Sequence, residues 1–192
     1  MDQNTLLKNM VITISGPAGS GKSYCASSLS RIYGVPCHSA GSIFRQMALE
    51  RGITIEELTI RAHSDPKIDR EIDRRTEELA RGGGVILEGR LVAYFASGSP
   101  QRLSFYLTAP FEERSKRIAE REGFTLEEAI TRTRAREEGE RQRYNDLYGL
   151  DTSDLSVYDF VINTSIWGKE PEVTLLRRII DTYLENPPLP HT

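Results

Sequence analysis

The sequence predicts an α/β fold in which helices cover both faces of a parallel sheet, and two observations support it. Short apolar runs of strand type recur along the 192 residues and alternate with helical stretches, as in parallel sheets. These runs are residues 10–14, 35–38, 85–88, 103–107 and 158–162. The second observation is the glycine-rich segment GPAGSGKS at 16–23, which follows the first run directly and opens a helix. We therefore expect one α/β domain built around this segment.

Segment 16–23 fills every fixed position of the phosphate-binding loop GxxxxGK(S/T). Its glycines let the backbone approach a phosphate, and the start of the following helix directs partial positive charge at the anion. We expect Lys22 to reach the β- and γ-phosphates of a nucleotide and the Ser23 hydroxyl to bind Mg²⁺. The alternative is a glycine-rich turn without a ligand, which the flanking strand and helix disfavour. The predicted nucleotide-binding residues are Gly16, Pro17, Ala18, Gly19, Ser20, Gly21, Lys22, Ser23 and Tyr24.

Composition argues against several other classes of protein. A formal net charge of −3 disfavours a protein that coats nucleic acid. The two cysteines, Cys25 and Cys37, lack CxxC spacing, which disfavours a zinc site or a disulfide framework. The first residues have neither a basic start nor a long apolar stretch, so we expect no signal peptide or membrane span. The expectation is a cytoplasmic monomer without nucleic-acid or membrane partners.

The segment 45–83 is longer than the single helix that a minimal strand–helix–strand unit needs between its strands. Thr54 and Glu57 have the spacing of a capping box before one short helix. A second helix places apolar residues on one face and ends at three glycines, 82–84. Its other face carries Asp69, Arg70, Asp73, Arg74 and Arg75. We expect a helical insertion between two strands.

Residues 124–148 form the second unusual stretch, because arginines cluster there. Arg136, Glu140 and Arg143 fall at i, i+4 and i+7, so they share a helix face. Gly139 lies between them and weakens a helix by about 1 kcal/mol relative to alanine. Guanidinium groups bind phosphoryl oxygens bidentately, so we expect a lid that closes over phosphates, with Arg136 and Arg143 catalytic and Lys22 the loop lysine. The alternative is a solvated face of weak Arg–Glu pairs.

Polar residues also follow other predicted strands, at the sheet edge where α/β folds bind ligands. Glu88 and Arg90 end the third strand; the carboxylate can orient water on Mg²⁺ and the guanidinium can bind an anion. Arg45 lies one turn into the helix after the second strand. A structural Glu–Arg pair and a surface arginine are the alternatives. The segment 163–165 (NTS) could contact a nucleotide base or cap a helix.

In this order, these segments resemble the nucleoside monophosphate kinases and, more narrowly, the cytidylate kinases of the compact archaeal type. The resemblance is carried by GPAGSGKS at 16–23, SAGSIFR at 39–45, DPKIDREIDRR at 65–75, EGR at 88–90, APFEERSKRIAERE at 109–122, REEGERQRY at 136–144 and VINTS at 161–165. It implies a P-loop NTPase fold with a five-stranded parallel sheet in a single domain, residues 1–192. The implied core is about 10–44, 84–123 and 149–186, with a monophosphate-binding insertion at about 45–83 and a lid at about 124–148.

The resemblance also implies ATP and Mg²⁺ at the loop and phosphorylation of CMP and dCMP. The implied substrate-binding residues match the acceptor phosphate (Arg45, Arg90, Arg136), the sugar (Glu140, Arg143) and the base (Asp69, Arg70), with Ser39 and Glu88 standing where the bacterial pattern has aspartates. The alternatives are a P-loop kinase for UMP, AMP or another small acceptor, and a nucleotide-hydrolysing switch. The switch is disfavoured because no NKxD segment follows the last strand.

Overall fold

A computed structural model describes residues 7–99 and 101–186. The strands are β1 (Val11–Ser15), β2 (Cys37–Ser39), β3 (Val85–Glu88), β4 (Arg102–Thr108) and β5 (Phe160–Asn163). They form one parallel five-stranded sheet in the order β2-β3-β1-β4-β5. The helices are α1 (Lys22–Tyr33), α2 (Ala40–Glu50), α3 (Ile55–Ser64), α4 (Lys67–Gly82), α5 (Val92–Phe95), α6 (Phe111–Glu122), α7 (Leu126–Tyr148) and α8 (Lys169–Glu185).

Helices cover both faces of the sheet, as the sequence predicts. The central strand β1 is buried along its whole length, so its apolar residues serve two cores. Ile12 and Ile14 belong to a cluster with residues of α1 and α8, such as Leu29 and Leu176. Val11, which points to the opposite face, packs with residues of α4 and α5. Among the described residues, no helix is both long and apolar enough to cross a membrane.

Between β2 and β3 the chain forms the three helices α2, α3 and α4. They have a small core of their own, which includes Met47, Leu58 and Ile68. The capping box at the start of α3 is present, because the Thr54 hydroxyl accepts from the Glu57 N–H at 3.1 Å and the Glu57 carboxylate accepts from the Thr54 N–H at 2.8 Å. The helical insertion therefore has a separate core, next to that of the sheet.

The arginine-rich segment is one continuous helix, α7, of 23 residues. It begins at a second capping box, Thr125 with Glu128, and ends before Gly149, which has a φ of 63°. The helix runs through Gly139 without a break, and a Cβ at this position would meet no atom within 4 Å. The weak point expected at Gly139 therefore does not interrupt the helix.

Candidate active site

The loop at 16–21 requires glycine at two positions where the backbone is both left-handed and crowded. Gly16 has a φ of 144°, and a Cβ there would lie 2.0 Å from the carbonyl oxygen of Leu107. Gly19 has a φ of 76°, and its Cβ would lie 2.6 Å from the carbonyl oxygen of Arg114. These separations are below any van der Waals contact, so side chains cannot replace these hydrogens without moving β4 or α6.

Side chains behind the loop fix its shape. Arg114, which is only 7% exposed, donates to the carbonyl oxygen of Ala18 at 3.1 Å. The buried Thr164 hydroxyl donates to the carbonyl oxygen of Ser20 at 3.1 Å, and Arg117 donates to the Thr164 carbonyl at 2.7 Å. Thr164 therefore supports the loop; it does not line the large cavity described below and does not cap α8, whose N-cap is Gly168.

Lys22 is the first residue of α1 and stands at the centre of the site. Its Nζ donates to the carbonyl oxygen of Pro17 at 2.9 Å. Burial lowers the pKa of Lys22 to about 8; the Glu88 carboxylate opposes this shift and the Arg90 guanidinium reinforces it. The lysine is therefore a cation whose charge is poorly solvated, and a bound anion would stabilise it.

A cavity of about 1080 Å³ opens in front of Lys22. It is large enough for two nucleotides placed end to end, because drug-sized ligands occupy pockets of about 300–1,000 Å³. Most of the site residues predicted from the sequence line its wall. They are Ala18, Gly19, Gly21, Lys22, Ser23, Tyr24, Ser39, Asp69, Glu88, Arg90, Arg136, Glu140 and Arg143.

At one end of the cavity, arginines of α7 and of the loop after β3 meet carboxylates. Arg90 Nη2 lies 2.7 Å from Glu140 Oε2, and Arg136 Nε lies 2.9 Å from Glu140 Oε1. Arg143 forms an ion pair with Asp69 of α4. Each of these arginines therefore has a carboxylate partner in the structure. Lid and insertion are joined across this end of the cavity, which we call the acceptor end.

The acceptor end contains two residues to which the sequence assigned no role. Asp73 accepts a hydrogen bond from the Tyr148 hydroxyl, and both side chains line the cavity. Burial raises the pKa of Asp73, and the hydrogen bond from Tyr148 opposes this shift. Asp69, Ile72 and Asp73 line the wall together because they lie at i, i+3 and i+4 of α4. The same spacing, read from Asp69, could have identified Asp73.

Other predicted site residues lie off the cavity wall. Arg70 is exposed and does not line it, since consecutive helical residues point about 100° apart. The expectation that Asp69 and Arg70 act from one face is therefore wrong. Arg45 is exposed and also off the wall, although its Nη1 lies 3.5 Å from the Cβ position of the wall residue Gly41.

The three remaining loop residues also lie apart from the large cavity. Ser20 is fully buried beneath the loop. Gly16 and Pro17 line a smaller cavity of about 200 Å³, which they share with four tyrosines, of α5, β4, α7 and the segment before β5. Gly16, Pro17 and Ser20 therefore shape the loop, whereas the other predicted loop residues line the large cavity.

The opposite end of the cavity, which we call the donor end, is formed by α6, the start of α1 and the turn before α8. Residues that the sequence reading did not single out line it, namely Arg117, Glu120, Arg121, Trp167, Gly168, Lys169 and Glu172. Tyr24 donates to Glu170 at 2.6 Å, and the Lys169 ammonium lies 5.5 Å from the centre of the Tyr24 ring. The sequence assigned no role to these individual residues, because α1, α6 and α8 meet here only in the folded chain.

Comparisons with known proteins agree with this geometry. Residues 11–166 match the model of the cytidylate kinase-like family. The chain is 45% identical over 185 residues to a cytidylate kinase of Methanopyrus kandleri, covering 92% of this chain and 96% of the relative. It is 44% identical over 172 residues to a cytidylate kinase of Pyrococcus horikoshii, covering 90% of this chain and 88% of the relative.

Solved structures with much lower identity share the fold. A shikimate kinase from Acinetobacter baumannii superposes with a TM-score of 0.63 at 16% identity, covering 94% of this chain and 97% of that chain. A gluconokinase from Sinorhizobium meliloti gives 0.59 at 15% identity, covering 93% and 95%. These likenesses show the P-loop kinase fold.

Proposed function

The chain belongs to the cytidylate kinase-like family, and on that premise we propose that it transfers the γ-phosphoryl group of ATP to CMP or dCMP. The products are ADP and CDP or dCDP. The new bond joins the γ-phosphorus to an oxygen of the acceptor phosphate, and the bond to the β-phosphate oxygen breaks. One observation carries the proposal: a single cavity has the loop lysine, Lys22, at its centre and different polar groups at its two ends.

Little covalent chemistry is required of the protein. The acceptor phosphate is already an anionic nucleophile, so no strong general base is needed, and catalysis depends on positioning and charge neutralisation. We assign neutralisation of the transferring group to Lys22, Arg136 and Arg143. We assign the acceptor phosphate to Arg90, whose guanidinium is held at the cavity by Glu140. Closure of α7 would exclude water and so limit hydrolysis of ATP.

Mg²⁺ fits the residues near Lys22. No group of three or more His, Cys, Asp or Glu side chains could hold a metal within the described parts of the chain. Such a group is unnecessary, because Mg²⁺ keeps several waters and binds through substrate phosphates and one or two protein ligands. The Ser23 hydroxyl, with Glu88 as an outer carboxylate, meets this need on the cavity wall. The ion would neutralise charge on the β- and γ-phosphates.

We assign cytosine recognition to Asp73 and Tyr148, with Asp69 beside them. Cytosine presents an exocyclic amine next to a ring acceptor, so it needs one acceptor and one donor. The Asp73 carboxylate and the Tyr148 hydroxyl both line the cavity, and they would offer this pair once a base displaces the hydrogen bond between them. Uracil reverses the pattern, and its carbonyl would leave the carboxylate unpaired at a substantial cost in kcat/KM.

A coupled assay of ADP release with CMP, dCMP, UMP, AMP and GMP tests the proposal. CMP and dCMP should have the highest kcat/KM, and Lys22→Ala should give almost no signal. Lys116→Ala is the matched control, since it removes an exposed lysine of α6 that pairs with Glu113. If AMP or UMP is preferred, the cytidylate assignment fails and a kinase for that acceptor replaces it. ADP release without any acceptor would favour a hydrolysing switch.

We also propose that the protein acts as a cytoplasmic monomer without nucleic acid. Every residue assigned above comes from one chain, so the proposed reaction needs no second copy. Light scattering after size-exclusion chromatography tests the monomer: an active peak of about twice the 21.7 kDa chain mass would contradict it.

A further inference from the structure

Glu172 is a buried carboxylate for which the proposed mechanism gives no use. It lies in the first turns of α8, and only 5% of its surface is exposed. Its side chain nevertheless lines the large cavity, at the donor end. Burying a carboxylate costs free energy unless charged or hydrogen-bonding partners compensate. The cost of burying Glu172 therefore depends on the charged and hydrogen-bonding groups that surround it.

The fold supplies only weak partners. Within the described residues, the side-chain hydrogen bond to Glu172 comes from the thiol of Cys25, whose Sγ lies 3.9 Å from Oε2. A thiol is a weak donor. No lysine or arginine of the described chain forms a salt bridge with this carboxylate within 4.0 Å. Burial raises the pKa of Glu172, and the charges of Arg117 and Lys169 oppose the shift without direct contact. Glu172 thus has unused capacity to accept a hydrogen bond.

The position of Glu172 suggests which donor could reach it. Its Oε2 lies 3.4 Å from the Cβ position of Gly21, the residue before the loop lysine. A nucleotide with its phosphates on the loop would extend its base toward this end, because the other end is lined by Arg90, which we assign to the acceptor, and by the ion pair of Arg143 with Asp69. Trp167, which is 43% exposed and lines the same end, offers a flat apolar surface to a base.

We propose that Glu172 accepts a hydrogen bond from the exocyclic amine of the donor base and thereby selects adenine over guanine nucleotides. The inference rests on the proposed function in one respect, namely that the donor nucleotide occupies the loop. Adenine presents its amine where guanine presents a carbonyl oxygen. With guanine in the same orientation, the carbonyl oxygen and the carboxylate would face each other, both as acceptors.

The test measures nucleotide binding by calorimetry without any acceptor, so no transfer is needed. ATP is compared with GTP and with purine riboside triphosphate, which lacks only the exocyclic amine. Leaving a buried acceptor unpaired costs about 10- to 100-fold in affinity, so the wild-type protein should bind ATP more tightly than either analogue by at least about tenfold. Equal affinity for ATP and purine riboside triphosphate, or tighter binding of GTP, would overturn the proposal.

Two variants make the test specific to Glu172. Glu172→Leu should bind ATP and purine riboside triphosphate equally, because neither finds an acceptor. Glu172→Gln offers a donor and an acceptor, so it should bind ATP and GTP with similar affinity. Glu185→Gln, an exposed change of the same charge at the end of α8, should keep the wild-type preferences. If both Glu172 variants also keep the wild-type nucleotide preferences, the proposal is wrong. If a variant fails to fold, the comparison of the three nucleotides on the wild-type protein still tests the proposal. Loss of CMP phosphorylation in the separate assay would contradict the proposed function and leave this binding result intact.

Discussion

Arg90 and Glu140 lie 2.7 Å apart, although one residue follows β3 and the other lies in the middle of α7. The same carboxylate binds Arg136 at 2.9 Å, so one glutamate holds two guanidinium groups beside Lys22. Both arginines are therefore oriented before any phosphate binds, which reduces the ordering cost at the moment of binding. An incoming phosphate has to compete with a carboxylate that is already in place.

Lys22→Ala should lower kcat by about 100- to 1000-fold or more, because it removes a cation to which we assign neutralisation of the transferring group. Its stability should be unchanged or slightly higher. Burial lowers the pKa of Lys22, which means that its charged form is unfavourable in the ligand-free fold. Steady-state kinetics and thermal unfolding of the same preparation measure both effects. A folded variant with near-normal turnover would refute the role assigned to the loop lysine.

ATP binding should weaken as the pH rises through about 8, the pKa of Lys22 in the free protein. Bound phosphate stabilises the ammonium form, so binding above this pH must take up a proton. Affinity should then fall by about tenfold per pH unit until the pKa of the bound form is reached. Calorimetric titrations between pH 7 and pH 9.5 measure the slope. Lys22→Arg is the control, since a guanidinium stays charged throughout; if both proteins show the same slope, another group is responsible.

Asp73→Asn should reduce the preference for CMP over UMP. The amide offers a donor as well as an acceptor, so it can pair with the carbonyl of uracil as well as with the amine of cytosine. The ratio of the two kcat/KM values should fall by about 10- to 100-fold, mainly through KM. Arg70→Ala is the matched control on α4, because its side chain lies off the cavity wall. An unchanged ratio in Asp73→Asn, or an equal fall in the control, would exclude Asp73 as the base reader.

Local sequence signals predicted the framework well. The loop at 16–23, the Thr54–Glu57 capping box and the sites of the five strands were evident from the sequence, because each depends on neighbouring residues. Contacts between distant segments were not. The Asp73–Tyr148 bond joins residues 75 positions apart, and Glu172 meets the loop only because α8 packs beside α1. Arg70 and Asp69 are neighbours in sequence, yet only one reaches the cavity, since the packing of α4 decides which helix face turns inward.

Arg136→Ala and Arg143→Ala should each lower kcat by about 100- to 1000-fold while changing the affinity for ATP by no more than about threefold. The reason is that in the proposed mechanism these arginines act mainly in the closed transition state, and such contacts raise kcat. Kinetics with both substrates varied, together with ATP binding by calorimetry, separate the two effects. Arg132→Ala removes the same charge from the same helix, but Arg132 lies over the Phe124 ring and lines neither cavity. This control should retain the wild-type kcat. If Arg136→Ala and Arg143→Ala lose ATP affinity instead, the two arginines belong to the binding site of the donor nucleotide.

The last prediction concerns motion of α7. The Arg143–Asp69 ion pair and the Tyr148–Asp73 hydrogen bond cross the acceptor end of the cavity and join α7 to α4. A nucleotide that enters between these helices must separate them, so without ligand we expect residues 124–148 to open at times. Few large apolar side chains hold the helix down, because only Ala129 and Thr133 of α7 are buried. Bound phosphates supply negative charge to Arg136 and Arg143, which should favour closure once both sites are filled.

Hydrogen exchange across residues 124–148 measures this motion in three states: without nucleotide, with an ATP analogue, and with the analogue and CMP. Protection should rise modestly with the analogue and strongly with both, because only the second nucleotide fills the space between α4 and α7. Peptides from the buried face of α8, around Leu176 and Ile180, serve as the internal control and should be equally protected in all three states. If residues 124–148 behave like this control, the arginines form a permanent salt-bridged surface, and CMP must enter the cavity without any opening of α7.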